Sequence, residues 1–248
     1  MALPERHLAW DGCLNVRDLG GHATEDGGET RFGAVVRADS VRLLTDEGWA
    51  QLTGYGVSRI VDLRMDAERA EDPSDDVPVE VLHLPFFHED SEVFREVDEA
   101  ALAAPDLPTA TRNVYLIFLE RFRENVAAAV KAVGDAPEGV VVVHCAGGKD
   151  RTGLVTAFLL KLAGVSDEDV AGDYALSEER LKPRHERWLA EAETETERKR
   201  LRRMLATPAA SMLAVLHELE RRYGSVEGYL EAGGLTDADI ARVRRRLR

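Results

Sequence analysis

Residues Val140–Gly153 read VVVVHCAGGKDRTG. Four consecutive valines are apolar on both faces, the pattern of a central strand covered on each side. His144 and Cys145 follow at once, then two glycines, then Lys149-Asp150-Arg151, then a Thr-Gly pair that opens a helical pattern over Thr152–Ala163, with Gly164 placed to end it. A buried strand that runs through a glycine-containing loop into a helix puts Cys145 at the strand's carboxyl end. In open α/β sheets that is where ligands bind.

Five residues separate Cys145 from Arg151, enough for a loop whose backbone amides point at one centre. Gly147 and Gly148 let the chain curl without side-chain obstruction, and the following helix adds its positive end, so the loop suits an anion. The planar fork of Arg151 matches two oxygens of a phosphoryl group. The same field favours the Cys145 thiolate, a nucleophile. Attack on phosphorus would give a phosphocysteine whose equatorial oxygens rest on the loop amides and Arg151. Thr152 is placed to hydrogen-bond the departing sulfur. This chemistry calls for no cofactor and no metal.

Outward from this segment, β-branched runs at Gly33–Val36, Val57–Leu63 and Val79–Leu84 predict further strands. Helical spacing marks Thr45–Thr53 and Thr111–Val133; in the latter Tyr115, Leu119, Phe122, Val126, Val130 and Val133 form one apolar stripe. The expected connecting loops are Asp66–Pro78, Glu89–Pro108 and Gly134–Gly139. Strands alternating with helices predict an α/β fold, a central mostly parallel sheet flanked by helices. Beyond Gly164 the pattern is helical almost throughout. Ser166 with Asp169 predicts a cap, Pro208 a first helical turn, Gly224 a stop and Thr236 a last cap. Two long helices are expected between Arg180 and Tyr223, around a break near Thr207-Pro208.

The chain of 248 residues, 44% hydrophobic and 31% charged, is long enough for one sizeable core, so residues 1–248 are expected to form a single domain. Residues 1–12 show no secretory pattern and no stretch approaches a membrane span, so the expectation is a cytoplasmic protein without stable membrane insertion, non-classical export being left open. Two cysteines, Cys13 and Cys145, are too few for a disulfide framework. Cys13 reads as a packing residue, with a redox partnership to Cys145 as the alternative. The net charge of −14 argues against a nucleic-acid partner, yet residues 180–248 hold 16 of the 32 basic and only 11 of the 46 acidic residues. That basic excess reads either as solvated helix faces or as a cover over an anionic substrate. His22, His83, His185 and His217 show no metal-ligand spacing, and Arg17 with Asp18 reads as a pair that anchors the amino-terminal segment near the loop.

HCAGGKDRTG resembles the cysteine phosphatase signature, and in its fuller form the bacterial tyrosine phosphatase family that includes protein tyrosine phosphatase B. Asn15–Gly21 (NVRDLGG), Arg37–Ser40, Val61–Arg64, Asp173–Ser177 (DYALS) and Tyr223–Leu230 (YGSVEGYL) resemble further motifs of that family, so the likeness spans nearly the whole chain. It implies a phosphatase fold with helices able to cover the site, here residues 180–223 as a C-terminal lid. It also implies hydrolysis of phosphotyrosine and, in some members, of phosphoserine, phosphothreonine or phosphoinositides. Carried over by position, Cys145 is the nucleophile, Arg151 the phosphate clamp, and Ala146, Gly147, Gly148, Lys149 and Asp150 the loop. For the general acid the residues leave Asp150, Asp62, Glu89 and Asp90 open, Asp150 being preferred because the loop fixes its position. The alternatives to a protein phosphatase are a phosphoinositide or other monoester phosphatase, with Lys149 holding a second phosphate, a phosphate-binding module without turnover, and a rhodanese-like sulfurtransferase. Oligomeric state is not encoded in any of these features.

Overall fold

A computed structural model describes residues 6–71 and 77–248. Its strands are β1 (Arg17–Asp18), β2 (Val35–Ala38), β3 (Val57–Asp62), β4 (Glu80–His83) and β5 (Val140–His144), in spatial order β1-β2-β5-β3-β4. β1 pairs antiparallel with β2, and every other pairing is parallel. The valine run therefore lies at the centre of a mostly parallel sheet, where a strand apolar on both faces belongs. Around the sheet are α1 (Asp46–Gly54), α2 (Asp66–Ala70), α3 (Ser91–Ala103), α4 (Leu107–Arg121), α5 (Arg123–Gly134), α6 (Asp150–Leu162), α7 (Asp167–Glu191), α8 (Glu195–Leu205), α9 (Ala209–Tyr223), α10 (Val226–Ala232) and α11 (Asp237–Leu247). No described helix is long and apolar enough to cross a membrane.

Side-chain alternation along β5 decides what each face does. Val141, Val143 and Cys145 enter the larger core, built with α4, α5, α6 and α9, while Val140 and Val142 face a smaller one formed with Trp10, Ile60 and Leu52 of α1. Ala38 of β2 and Asp62 of β3 both lie opposite His144. Three strands thus end level, and the segments leaving them meet at one edge. The caps read from the sequence are present. Ser166 Oγ accepts from the Asp169 amide at the start of α7, Thr236 and Asp239 close a capping box on α11, and Gly224 ends α9 at φ +79.

Several element boundaries depart from the sequence reading. The stretch expected as a loop from Asp66 begins with α2, while residues 72–76 of it lie outside the described residues. The expected loop Glu89–Pro108 contains α3, because the Asp90 carboxylate accepts from the amides of Glu92 and Val93 and so starts a helix in an Ala- and Glu-rich run. Thr111–Val133 is two helices that meet at Phe122, where φ −123 and ψ +31 break the helical path. Between Arg180 and Tyr223 the break at Thr207-Pro208 is present, but a second one before Thr194, the N-cap of α8, makes three segments instead of two. Of these, α9 is no appendage: Met212, Val215, Leu216 and Leu219 belong to the larger core.

Candidate active site

Cys145, 2% exposed, leaves the end of β5, and the chain then turns back over the sheet edge before α6 begins at Asp150. The carbonyls of this turn are held from outside. Ala146 O accepts the Ser40 amide at 3.1 Å, Gly147 O accepts Asn15 Nδ2 at 3.1 Å, and Gly148 O accepts both Asn15 Nδ2 at 3.0 Å and Arg37 Nη2 at 2.8 Å. In a trans peptide the N–H points opposite to the C=O, so the amides of Gly147, Gly148 and Lys149 are left for the inner side of the loop. Gly148 has φ +63, and a Cβ there would lie 2.3 Å from Ala38 O. Only glycine fits both demands.

A buried ionic network carries the two donors that reach in from the amino-terminal half. Arg17 Nη1 donates to Asn15 Oδ1 at 2.6 Å, and Arg17 Nε and Arg37 Nη1 donate to the two oxygens of Asp173 at 2.9 and 2.6 Å. Ser177 Oγ accepts from both arginines. Burial by itself would raise the Asp173 carboxyl, but Arg17 and Arg37 hold it well below the usual carboxylate range. The motifs NVRDLGG, RADS and DYALS, far apart in sequence, thus converge beneath one loop. Arg17 does not pair with Asp18, because successive strand residues point to opposite faces; Asp18 instead accepts from the Gly20 and Gly33 amides and from Tyr55 Oη.

Arg151, in the first turn of α6, places its guanidinium 5.4 Å from the Phe87 ring centre. Nη1 and Nη2 donate to the two oxygens of Glu68 on α2, at 2.5 and 2.8 Å. Burial opposes the charge of Arg151, but Glu68 and the Cys145 sulfur outweigh it and hold the group above its ordinary pKa. Thr152 Oγ is fully buried and has no hydrogen-bond partner among the described residues. Lys149 is turned away from the loop centre. Its ammonium donates to the Met204 carbonyl at the end of α8 and lies 3.6 Å from Asp150.

The four acid candidates separate by their partners. Asp62 is 2% exposed and bound by Arg64 through N, Nε and Nη2 at 2.9 to 3.1 Å, with His144 Nε2 3.6 Å away. Burial works to raise its carboxyl, but His144 and Arg64 prevail and lower it, so Asp62 is held as an anion. Asp90 is the cap of α3, and Glu89 is exposed. Asp150 stays beside the loop, its side chain 48% exposed, and one oxygen accepts from Tyr115 Oη, itself 2.9 Å from Tyr174 Oη. Cys13 is near the same edge, its thiol donating to Ser40 O at 3.4 Å, and burial together with Asp39 pushes that thiol far up. Glu68, Tyr115 and the scaffold residues Asn15, Arg37 and Asp173 escaped assignment from the sequence. Asn15, Arg37 and Asp173 were present only in family-like strings, Tyr115 only in an apolar stripe, and Glu68 fell in a stretch expected as a loop.

The helices after Gly164 reach over this edge. A Cβ on Gly147 would lie 3.9 Å from Leu181 of α7, and Arg184 on the next turn donates to Asp39 at 2.5 Å. The Asp39 carboxylate also accepts from the amides of Leu14 and Asn15.

A tyrosine phosphatase family model matches residues 8–248. A tyrosine-protein phosphatase of Nostoc commune is 26% identical over 230 residues, covering 86% of this chain and 74% of that protein. The triple specificity protein phosphatase PtpB of Mycobacterium tuberculosis is 27% identical over 279 aligned positions, covering 98% of each. The family to which HCAGGKDRTG points is the family found. Because the match takes in the whole sheet and every described helix around it, the chain belongs to the tyrosine phosphatase family and is a protein-tyrosine phosphatase.

Proposed function

We propose that the reaction runs through Cys145 and a phosphocysteine, with phosphotyrosine as the leading substrate. The observation that supports this most is the set of three consecutive loop carbonyls pinned outward by Ser40, Asn15 and Arg37, which leaves amides and the Arg151 fork around the Cys145 sulfur. Such a cradle is prearranged for the equatorial oxygens of a phosphoryl group, so little reorganisation accompanies charge development. The thiolate attacks phosphorus, the S–P bond forms and the ester P–O bond breaks, while Asp150 gives its proton to the leaving oxygen. Water then attacks phosphorus, returns a proton to Asp150, and the sulfur leaves as thiolate with Thr152 Oγ donating to it. Ala146, Gly147, Gly148 and Lys149 form the cradle, the last through its amide in the geometry seen here.

The lid belongs to the same proposal, narrowed to the second half of α7 and α8, since α9 is part of the core. Closure would exclude water from the phosphocysteine and select among substrates. The name of the Mycobacterium tuberculosis relative points to breadth beyond phosphotyrosine. Steady-state kinetics on phosphotyrosine peptides, phosphoserine peptides and soluble phosphoinositides in parallel test the substrate class. Phosphotyrosine should have the highest kcat/KM, and a phosphoinositide that exceeds it would move the assignment to the lipid headgroup.

A further inference from the structure

Among the described residues, the large apolar side chains that stand in solvent are Leu43, Leu102, Trp188 and Met204. All but Leu102 border the mouth of the loop that follows Cys145. Leu43 ends the turn that begins at Ser40, whose amide holds the Ala146 carbonyl. Met204 is at the end of α8, and its carbonyl accepts the Lys149 ammonium. Trp188 on α7 is one turn beyond Arg184, the partner of Asp39, and its ring centre lies 6.0 Å from that of His185. His185 is in turn near Lys149: burial lowers its imidazole, and the Lys149 ammonium lowers it further. A lone exposed apolar residue needs no explanation, but a group of them around one opening does.

Cations accompany these apolar tips. Arg187 is next to Trp188, and Lys199, Arg200 and Arg203 lie on α8, where Arg200 and Met204 are one turn apart. These four are exposed, and none has an ion-pair or hydrogen-bond partner among the described residues. By contrast, Arg121 is matched by Glu96 and Arg221 by Glu218. Folding does not call for the α8 charges, since that helix buries only Leu205. They stand on a chain of net charge −14, so their pull on an anion is local, within a screening length of about 10 Å. Unmatched cations beside an indole, a leucine and a methionine suit the headgroup region of a bilayer. A peptide would lie in the hollow between α7 and α8, but Glu178, Glu179 and Glu186 line it, the wrong charge for the acidic segment that the cations attract. We propose that this face docks on an anionic lipid bilayer, with Arg187, Lys199, Arg200 and Arg203 at the phosphate level and Leu43, Trp188 and Met204 at the boundary of the acyl chains. The contact lies at the surface and does not span the membrane. It turns the mouth of the loop toward the lipid, whichever phosphate ester the site hydrolyses.

The test is co-sedimentation of the full chain with vesicles of phosphatidylcholine alone and of phosphatidylcholine mixed with phosphatidylserine, with vanadate present to occupy the phosphate cradle. The chain should bind the mixed vesicles and not the neutral ones, and the bound fraction should fall as salt is raised. Each cation near the surface contributes about fivefold, so the triple variant Lys199→Gln/Arg200→Gln/Arg203→Gln, checked for folding by circular dichroism, should bind about 100-fold more weakly. Trp188 reports the depth of contact. Its emission should shift to the blue with mixed vesicles, and Trp188→Phe should abolish the shift although Trp10 and Trp49 remain. The proposal is overturned if the chain binds both kinds of vesicle alike, if it binds neither, or if the triple variant binds as the wild type does. Binding of a poly-glutamate peptide in place of the mixed vesicles would make the face a site for an acidic protein and overturn it as well. None of these readouts depends on turnover, so a failure of docking is distinct from a failure of the Cys145 mechanism.

Discussion

Asp150 and Gly148 are where single residues carry the account. Asp150 keeps a side chain that is 48% exposed beside the loop, whereas Asp62 is enclosed by Arg64 and Asp90 is used as a helix cap. A phenolate leaves with modest help and an alkoxide needs a proton, so Asp150→Asn should depress kcat for alkyl phosphates much more than for aryl phosphates. Comparing both substrate types across pH for Asp150→Asn, Asp62→Asn and Asp90→Asn checks the assignment; a fall in the alkyl-to-aryl ratio confined to either of the latter two would move the acid outside the loop. Gly148→Ala meets a positive φ and the Ala38 carbonyl 2.3 Å from the added methyl group. That should cost about 1–3 kcal/mol of stability and also activity, because the loop must shift its amides to relieve the contact. Urea titration and kcat on the same sample measure both. The sequence placed the proposed nucleophile, the proposed clamp and the need for glycine in one string of residues. It could not show Glu68 or Tyr115, which reach the loop only through tertiary packing and have no fixed spacing from it.

At the scale of elements, β5 and α6 were legible because a run apolar on both faces, a glycine loop and a helical stripe follow one another without interruption. The parity of β5 also follows from the strand itself: Cys145 shares a face with Val141 and Val143. Elements whose burial is slight were misread. α3 buries only Val93, so its acidic, alanine-rich composition looked like a loop until Asp90 was seen to cap it. Phe122 interrupts α4 and α5 although the apolar stripe runs on across the break, because the larger core continues beneath both helices. α8 buries only Leu205 and meets the loop through the Lys149 contact with Met204 O. Replacing residues 193–206 by a short flexible link should therefore raise kcat/KM on a small aryl phosphate while the thermal midpoint falls by less than about 4 °C. A variant that unfolds outright would make α8 part of the core and end the lid reading.

Across the whole molecule, the amino-terminal segment, the sheet edge and α7 are joined by the Arg17-Arg37-Asp173 network, and stability should depend on it. With its native carboxyl held below the usual range, Asp173 contributes stability that is present above the unfolded-state value near pH 4 and is lost as pH falls toward the native one. Asp173→Asn leaves two buried arginines uncompensated and should cost about 3 kcal/mol or more at neutral pH. The deficit should shrink below about pH 4, where the wild-type carboxylate begins to be lost. Urea midpoints for the two proteins between neutral and acidic pH check this, and a constant difference would contradict it. The same network supplies the Arg37 and Asn15 donors that hold the loop carbonyls, so the fold converges on the loop that follows Cys145, the proposed nucleophile. The most direct measurement is therefore acid quenching of the enzyme during turnover of an aryl phosphate, followed by peptide mass spectrometry. The account predicts a phosphoryl group on the peptide that contains Cys145, and with Cys145→Ser both the adduct and turnover disappear while vanadate still binds. A Cys145→Ser enzyme that turns over within about tenfold of wild type would contradict it.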